Sequence, residues 1–418
     1  METRPTIPIQ KLRVANFGCV RDATVELEPL TVLVGPNDSG KSMLLKALRT
    51  LADAASASEE KGWGALFPTP AALSARTFNG KGDAIQIGLR GALGDVHYRY
   101  DVEVGTGIYG VGVLSEHLSL GSAEAGRTEK GIAFRASSDV VAEGPRRWIS
   151  IATPMLNGPW LKPNPDNGEE INQFKALFQP AASLLDLLFN ALLYSLRPED
   201  LRRASPHEIA STPEEGPPHL GMHGAGLANA IADLLLRGRD VLERIEESLT
   251  RAMPQVKRID IKQRRTEEGG APMNELELVI RSGTRIPSRF ISDGVLLYLG
   301  YLYLVLGPNP APLLLVEEPE TGLHPGRLRS LMKLFRDMTT GAHGGPPTQV
   351  VLTTHSPMLL NLVEPEEIRV VQRGDDGATT VTPFMSAPDI KALLDYQGPG
   401  EIWVNEGEEY IVGGKARS

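Results

Sequence analysis

The sequence predicts an α/β protein with a β-rich lobe early in the chain and a helical subdomain inserted before the α/β pattern resumes. Three observations predict this class. An apolar run at Leu30–Val34 leads through a glycine-rich loop into helix-like residues. Residues 84–104 alternate apolar and polar positions with period two, as a half-exposed β-hairpin does. From residue 275 onward, short apolar runs alternate with helix-like segments, an order typical of a parallel sheet.

We expect three parts along the 418 residues. Residues 1–145 form an N-terminal lobe that contains the glycine-rich loop and the hairpin, and residues 146–270 form a helical lobe. Residues 271–418 form a C-terminal lobe in which the α/β pattern continues. A chain of this length has room for two or three domains and a large core.

The N-terminal lobe begins with short strands and a helix, predicted at Ile9–Val14, Ala23–Leu27, Leu30–Val34 and Lys41–Ala55. Residues 115–142 are small and polar, which predicts loops with weak strands. Residues 145–180 are rich in Pro, Asn and Gly, which favours irregular structure.

The middle of the chain is predicted to be helical in two pieces, Ile171–Leu196 and Gly226–Arg251, joined by a polar, proline-rich linker at 205–219. Apolar residues recur at helical spacing in the second piece. Neither piece keeps an apolar heptad pattern long enough for an extended coiled coil.

The C-terminal lobe is predicted to alternate strands and helices and to end in a hairpin and a short helix. The strands are Leu276–Ile280, Leu313–Val316, Gln349–Thr354, Ile368–Gln372 and Thr379–Val381; the helices are Ser292–Leu306, Gly326–Asp337 and Pro388–Tyr396.

Composition and charge exclude several classes of protein. The single cysteine, Cys19, excludes an intrachain disulfide framework and a multi-cysteine metal site. The apolar stretches at 184–196 and 295–306 are shorter than the roughly 18 uncharged residues of a membrane span, and no signal pattern begins the chain. We therefore expect a cytoplasmic protein without a membrane partner. The net charge of −9 leaves Arg202-Arg203 and the basic residues of 257–265 as either nucleic-acid contacts or solvated faces.

The glycine-rich loop is a complete G-x-x-x-x-G-K-[ST] motif between a strand and a helix, which is the context that this phosphate-binding loop requires. Its residues are Gly35, Pro36, Asn37, Asp38, Ser39, Gly40, Lys41 and Ser42. Backbone N–H groups and the helix dipole can cradle phosphates. Lys41 is expected to reach the β- and γ-phosphates, and the Ser42 hydroxyl to ligate Mg²⁺. The motif predicts binding of a nucleoside triphosphate.

A second element is the apolar strand at 313–316 that ends in two carboxylates, Glu317 and Glu318. Glu317 is expected at the Mg²⁺ ion, commonly through water, and Glu318 is expected to act as the general base that polarises the attacking water. A third element is His355, which follows the next buried strand and is suited to sense a γ-phosphate by a hydrogen bond.

A fourth element, Ser292, Asp293 and Gly294, opens a helix. A hydroxyl, free N–H groups and a helix dipole at this point can bind an anion. Taken alone, this element is better explained as an ordinary helix cap, with Ser292 capping the helix that follows.

In this order the four elements resemble the ATP-binding-cassette superfamily: phosphate loop, Ser-x-Gly signature, Glu-Glu strand and switch histidine. Within it, the chain is similar to the OLD-like standalone ATPases of the "AAA family", often described as AbiEii-type toxins and related to SMC and RecF nucleotide-binding domains. The residues that carry the resemblance are Leu33–Ser42, Ile291–Gly294, Glu317–Pro325 and Thr354–Pro357.

The resemblance implies an ABC-type ATPase head that hydrolyses ATP with Mg²⁺ as a dimer. ATP would lie between Gly35–Ser42 of one chain and Ser292–Gly294 of a second copy, with Thr321–His324 at the seam. ATP would close the dimer and hydrolysis would open it, and this change would switch a partner. A γ-phosphate contacted by both chains gives ATP different affinities for the closed and open dimer. Two positions depart from the family. Gly18 stands where an arginine that contacts phosphate usually follows Asn-Phe, with Arg21 as an alternative. The glutamine expected in the lobe loop is not identified, because Gln86 lies in a strand-like pattern that suggests a structural role.

The purpose of the ATPase is left open between classes. OLD-like proteins often carry a Toprim nuclease, but only about 60 residues follow His355, against roughly 100 for such a domain. The leading hypothesis is therefore an anti-phage defence ATPase that acts on a separate effector, a nuclease or toxin. The alternatives are a RecF- or SMC-like DNA-repair ATPase and an ATP-binding scaffold with little turnover. A transporter ATPase is the least favoured.

Overall fold

The computed structural model describes most of the chain. The described residues are 9–56, 62–80, 82–93, 96–107, 110–121, 123–128, 131–136, 139–144, 184, 186–188, 190–206, 220–265 and 272–413. Contacts divide the chain into two compact units, Met1–Ala191 with Glu364–Ser418, and Leu192–Val363. The division into three lobes at residues 145 and 270 stays a prediction.

Unit 1 is built largely from strands. They are β1 Ile9–Phe17, β2 Val20–Glu26, β3 Leu30–Val34, β4 Ala84–Leu93, β5 Val96–Gly107, β6 Gly110–Leu120, β7 Ala123–Thr128, β8 Gly131–Ala136 and β9 Asp139–Gly144, with β17 Ile368–Arg373 and β18 Thr379–Pro383 near the end of the chain. Eight of them form an antiparallel sheet in the order β2-β1-β4-β5-β6-β7-β8-β9.

The hairpin predicted at 84–104 is observed as β4 and β5, which pair from Ala84↔Gly105 to Leu93↔Val96. Alternation decides which face is buried, because successive side chains of a strand point to opposite faces. Tyr98, Tyr100 and Val102 are buried, whereas Arg99 is exposed. The loops with weak strands predicted at 115–142 are instead a regular antiparallel ladder from β6 to β9. Backbone pairing with a neighbouring strand satisfies the N–H and C=O groups whatever the side chains, so polar composition misled the prediction.

The phosphate loop of unit 1 leaves a strand that is buried along its whole length. Every residue of β3, Leu30–Val34, is buried. This strand pairs in parallel with β17 through Ile368↔Val32 and Val370↔Val34, and β17 pairs antiparallel with β18. A strand buried on both faces explains why β3 is apolar without alternation.

The helices of unit 1 are α1 Lys41–Ser56, α2 Gly62–Leu66, α3 Pro70–Ser74, α10 Ile390–Leu394 and α11 Pro399–Gly413. Helix α1 begins at the lysine of the phosphate loop, as predicted. Helix α11 was not predicted, and the short helix expected at 388–396 is reduced to α10.

Unit 2 contains β10 Leu192–Tyr194, β11 Ser205–Pro206, β12 Val256–Arg265, β13 Pro272–Ile280, β14 Arg285–Pro287, β15 Leu313–Glu317 and β16 Gln349–Thr354. Its helices are α4 Pro198–Leu201, α5 Leu227–Arg237, α6 Arg239–Ala252, α7 Asp293–Leu306, α8 Pro325–Thr340 and α9 Pro357–Leu360. Strand β15 pairs in parallel with both β10 and β16. Strands β11, β12 and β14 each pair antiparallel with β13.

Three predictions in the middle of the chain are wrong. Leu192–Tyr194, expected at the end of a helix, is strand β10 and pairs with Leu314–Val316. The backbone N–H and C=O groups of this apolar run find their hydrogen-bond partners in β15 instead of within a helix. The helix predicted at 226–251 is two helices, because the backbone leaves the helical region at Gly238, where φ is −133°. Residues 256–265, assigned to the helical part, form strand β12. Most of the predicted helix at 171–191, and the linker from 207 to 219, lie outside the described residues.

The apolar stretch at 295–306 belongs to α7, in which every residue from Val295 to Leu306 is buried. A helix that is apolar all round belongs in a protein interior when it is this short. Across the part of the chain that the structure describes, no helix has both the length and the apolar character to cross a membrane.

Candidate nucleotide-binding site

The phosphate loop in unit 1 has a backbone that only glycine allows at two positions. Gly40 has φ of +108°, and a Cβ there would lie 2.3 Å from Thr379 Oγ1. A Cβ on Gly35 would lie 2.0 Å from the carbonyl oxygen of Val371. Asp38 also lies in the left-handed region, with φ of 63°. The loop is therefore packed tightly against β17 and β18.

The side chains of the loop are arranged as a phosphate would require. Lys41 is buried, and its Nζ donates to the carbonyl oxygens of Gly35 at 2.9 Å and Pro36 at 2.7 Å. These two hydrogen bonds hold the ammonium at the loop. Ser39 is buried, and its Oγ has no hydrogen-bond partner among the described residues, although the Thr379 hydroxyl donates to its carbonyl at 2.8 Å. Ser42 stands in the first turn of α1.

Neither position that departs from the family supplies a phosphate contact in unit 1. Gly18 has φ of +59°, and a Cβ there would meet Met43 Sδ at 2.6 Å. Arg21 forms an ion pair with Asp376 at 2.8 Å and lies 4.8 Å from the centroid of the Phe78 ring. Arg21 is thus committed to other partners. Gln86 lies in β4 and donates to Glu103 at 3.4 Å, in keeping with a structural role.

In unit 2 the two carboxylates stand at the end of β15, next to the end of β16. The strands are parallel and in register at Glu317↔Thr353, so both carboxyl ends reach the same edge. Glu317 Oε1 is buried and has no hydrogen-bond partner among the described residues. The carboxylate next in the chain, Glu318, turns away because its φ is 44°, in the left-handed region.

The turn at Glu318 brings it to His355. Glu318 Oε1 and His355 Nε2 lie 3.2 Å apart, with 46% and 31% of the two side chains exposed. The N–H of Glu318 donates to the carbonyl of Thr353 at 3.0 Å, and this bond holds the turn. A carboxylate that is half exposed and beside an imidazole can accept a proton from water.

The sequence reasoning missed Glu320 as a contributor to this edge. Its Oε1 accepts hydrogen bonds from the Thr354 hydroxyl at 2.6 Å and from the His355 N–H at 3.1 Å. Its Oε2 is buried without a hydrogen-bond partner among the described residues. Burial, with the negative charge of Glu320 added, raises the pKa of Tyr301. The sequence signal for Glu320 was the Glu-Glu-Pro-Glu string, in which a third carboxylate follows Glu318 by two residues.

The Ser-x-Gly element stands at the start of α7. Ser292 occupies the N-cap position, but its side chain makes no capping hydrogen bond, so the hydroxyl is available to a ligand. The Asp293 carboxylate is paired with the Arg202 guanidinium. A Cβ on Gly294 would lie 2.7 Å from the carbonyl oxygen of Gly322, which requires glycine there.

The residues present fit a Mg²⁺–nucleotide group. In unit 2, Glu317 Oε1 is a buried carboxylate oxygen without a hydrogen-bond partner among the described residues, which is a kind of ligand that Mg²⁺ takes. In unit 1, the Ser42 hydroxyl stands at a helix N-terminus and is a kind of ligand that Mg²⁺ takes beside phosphate oxygens. The partnerless Ser39 hydroxyl and the Lys41 ammonium are groups that bind phosphate.

Four arginines of the basic clusters are paired with carboxylates. Arg202 pairs with Asp293, Arg203 with Asp200, Arg258 with Asp260, and Arg264 with Glu275. An arginine with a carboxylate partner contributes less to a basic surface than an unpaired one. The structure therefore favours solvated, ion-paired faces over an open nucleic-acid patch at these arginines.

The sequence of the chain is similar to those of known proteins. Residues 30–361 match the family described as "AAA domain, putative AbiEii toxin, Type IV TA system". An OLD nuclease of Thermus scotoductus is 45% identical over 40 residues, which are 10% of this chain and 8% of that protein. The matched segment thus spans a small part of that relative.

The chain is also similar to solved SMC head domains. The SmcHead bound to the C-winged helix domain of ScpA has a TM-score of 0.50 at 13% identity, covering 90% of this chain and 97% of the other. The SMC head domain from Thermotoga maritima has a TM-score of 0.38 at 12% identity, covering 90% and 98%. The first of these likenesses confirms the predicted α/β fold.

Proposed function

This chain belongs to the AAA-domain family that matches residues 30–361, and from this premise we propose that it binds and hydrolyses ATP to switch a separate effector protein. The observation that carries the proposal is the 3.2 Å approach of Glu318 Oε1 to His355 Nε2 at the edge of β15 and β16. A general base and a hydrogen-bonding histidine side by side are suited to hydrolysis of a terminal phosphate.

Each residue has a role in this proposal. Glu318 orients water and accepts its proton, and His355 donates a hydrogen bond to the terminal phosphate. Lys41 compensates the charge of the β- and γ-phosphates, and the N–H groups of Gly35–Ser42 hold their oxygens. Ser42 and Glu317 would hold Mg²⁺, which supplies compensation of phosphate charge when bound.

We propose further that the working form is a dimer in which each nucleotide is bound by two copies. The support is at the start of α7, where the Ser292 hydroxyl makes no capping bond and both Ser292 and Asp293 are exposed. An exposed helix N-terminus with a spare hydroxyl attracts an anion. In the dimer, Ser292–Gly294 of one copy contact the phosphates held by Gly35–Ser42 of the other.

The hydrolysis experiment compares Glu318→Gln with wild type. The amide keeps the size of the side chain and removes the base, so turnover of ATP should fall by about 10²-fold or more while ATP still binds. The matched control is Glu247→Gln, the same change at an exposed carboxylate of α6, which should keep turnover. Unchanged turnover of Glu318→Gln would overturn the assignment of the base.

We propose that the effector is a nuclease or toxin in prokaryotic anti-phage defence and that the protein works in the cytoplasm. The support is the family description, which names a toxin system, and the identity to an OLD nuclease over 40 residues. Copurification of the Glu318→Gln protein from its host, with and without ATP, tests this. An ATP-dependent nuclease or toxin partner supports it, and replication or repair proteins alone would favour a DNA-repair ATPase.

A third candidate, a scaffold that binds ATP with negligible turnover, has less support. A scaffold needs no base, yet Glu318 and His355 are in contact and both are held by backbone hydrogen bonds. Absence of ATP turnover in wild type under conditions where ATP binds would favour the scaffold instead.

A further inference from the structure

Arg327 lies beside the start of α7, although it belongs to α8. It is the third residue of α8, and its N–H donates to the carbonyl of His324 at 2.8 Å. Its Nη1 lies 3.2 Å from the point that a Cβ on Gly294 would occupy. Any larger residue at 294 would displace the guanidinium. The glycine of the Ser-x-Gly element therefore makes room for Arg327 as well as for the backbone of Gly322.

The Arg327 guanidinium has no counter-ion in the part of the chain that the structure describes. No hydrogen bond or ion pair joins it to a described residue, in contrast to Arg202 one helix away. The positive end of α7 is next to it, where the N–H groups of Val295 and Leu296 donate to the Ser292 carbonyl. The N–H groups of Asp293 and Gly294 have no acceptor among the described residues.

The acidic residue in the first turn of α7, Asp293, does not cancel the positive field. Asp293 is paired with Arg202, whose guanidinium also donates to the carbonyl of Arg289 at 3.4 Å. The charge of Asp293 is thus compensated on the Arg202 side. What remains is an unpaired guanidinium, a spare Ser292 hydroxyl and free helix N–H groups, all of which are donors to an anion.

We propose that Arg327 is a phosphate-binding residue that acts in trans on the terminal phosphate of ATP held by a second copy of the chain. The inference rests on the composite site proposed above and adds a residue to it. A guanidinium can bind two phosphate oxygens at once, which a hydroxyl or an N–H group cannot.

The first test compares Arg327→Ala with Arg329→Ala, an exposed arginine two residues further along the same helix. Arg327→Ala should leave ATP binding to the separate chain within about twofold and lower turnover by about 10²-fold or more, because a terminal-phosphate contact is lost. Arg329→Ala should turn over as wild type does. Arg327→Lys, which keeps a charge and loses the bidentate geometry, should be intermediate. Wild-type turnover of a folded Arg327→Ala protein overturns the proposal.

The second test asks which copy supplies Arg327. Lys41→Ala and Arg327→Ala proteins are each inactive in this proposal, but a mixed dimer contains one site with both residues intact. Random pairing makes about half of the dimers mixed, so turnover should recover to about a quarter of wild type. No recovery would mean that Arg327 does not act in trans.

A matched mixture separates this inference from the proposed function. Lys41→Ala with Ser292→Arg tests the composite site without Arg327. If that mixture recovers turnover and the Arg327→Ala mixture does not, the assignment of Arg327 is wrong. If neither mixture recovers, the composite dimer site itself is wrong, and the inference falls with it.

Discussion

Glu318 Oε1 lies 3.2 Å from His355 Nε2, although 36 residues separate the two in the sequence. The contact follows from the parallel register of β15 and β16, which sets Glu317 opposite Thr353 and so ends both strands at one edge. It also needs the left-handed backbone of Glu318, with φ of 44°, which turns the carboxylate toward the neighbouring strand. Such strain in a residue other than glycine costs about 1–3 kcal/mol and persists where the surroundings hold it, frequently at functional sites.

The contact leads to a prediction for the histidine. His355→Ala should lower the rate of ATP turnover by about 10²-fold while changing ATP affinity little, because the imidazole is expected to act on the phosphate mainly during hydrolysis. Steady-state kinetics together with ATP binding by calorimetry measure both quantities. The control is His223→Ala in the same unit, whose imidazole contacts the carbonyl of Ser195 instead. A loss of affinity as large as the loss of turnover would contradict the prediction.

Glu320 is predicted to position His355 without touching the nucleotide. Glu320→Ala removes the acceptor of two hydrogen bonds, from the Thr354 hydroxyl and the His355 N–H, and should destabilise unit 2 by about 1–3 kcal/mol. Glu320→Gln keeps one carbonyl acceptor and should recover part of the turnover. Turnover and thermal unfolding of both variants check this. If the alanine variant loses stability but keeps full turnover, Glu320 has only a structural role.

The phosphate loop should tolerate no side chain at Gly35. Gly35→Ala places a Cβ 2.0 Å from the Val371 carbonyl oxygen, so the loop must move and ATP affinity should fall by at least about tenfold. The matched control is Gly64→Ala in α2, where the nearest atom to a new Cβ is 3.9 Å away. That change should leave binding intact and stabilise the helix by up to about 1 kcal/mol. ATP binding measured by fluorescence decides; equal affinities for the two variants would contradict this account of Gly35.

Arg202 should support anion binding at α7 by neutralising Asp293. Arg202→Ala leaves the Asp293 carboxylate without its partner, so its charge should oppose a phosphate and weaken ATP-dependent dimerisation. Arg203→Ala, which removes an arginine paired with Asp200 at 3.3 Å, serves as the control. Adding Asp293→Asn to Arg202→Ala should restore dimerisation. Sedimentation velocity with ATP, on variants that also carry Glu318→Gln, would measure it. Failure of the double variant to recover would show that Arg202 acts by another route.

Much of the fold was predictable from the sequence because periodicity and strand–loop–helix motifs are local. The phosphate loop, β15, β16, α7 and α8 lie close to the predicted positions. The errors at Leu192–Tyr194 and at 115–142 have one cause: a strand is stabilised by a partner elsewhere in the chain, and local composition does not reveal that partner.

The sequence by itself determined which residue types could bind a triphosphate and where the loop, carboxylates, histidine and Ser-x-Gly element stand along the chain. Only the tertiary structure decided which of them meet within unit 2. The bonds of Glu320 to Thr354 and His355, the pairing of Arg202 with Asp293, and the place of Arg327 beside Gly294 each join distant parts of the chain. Such contacts depend on strand register, backbone turns and helix packing, which form only when the whole unit has folded.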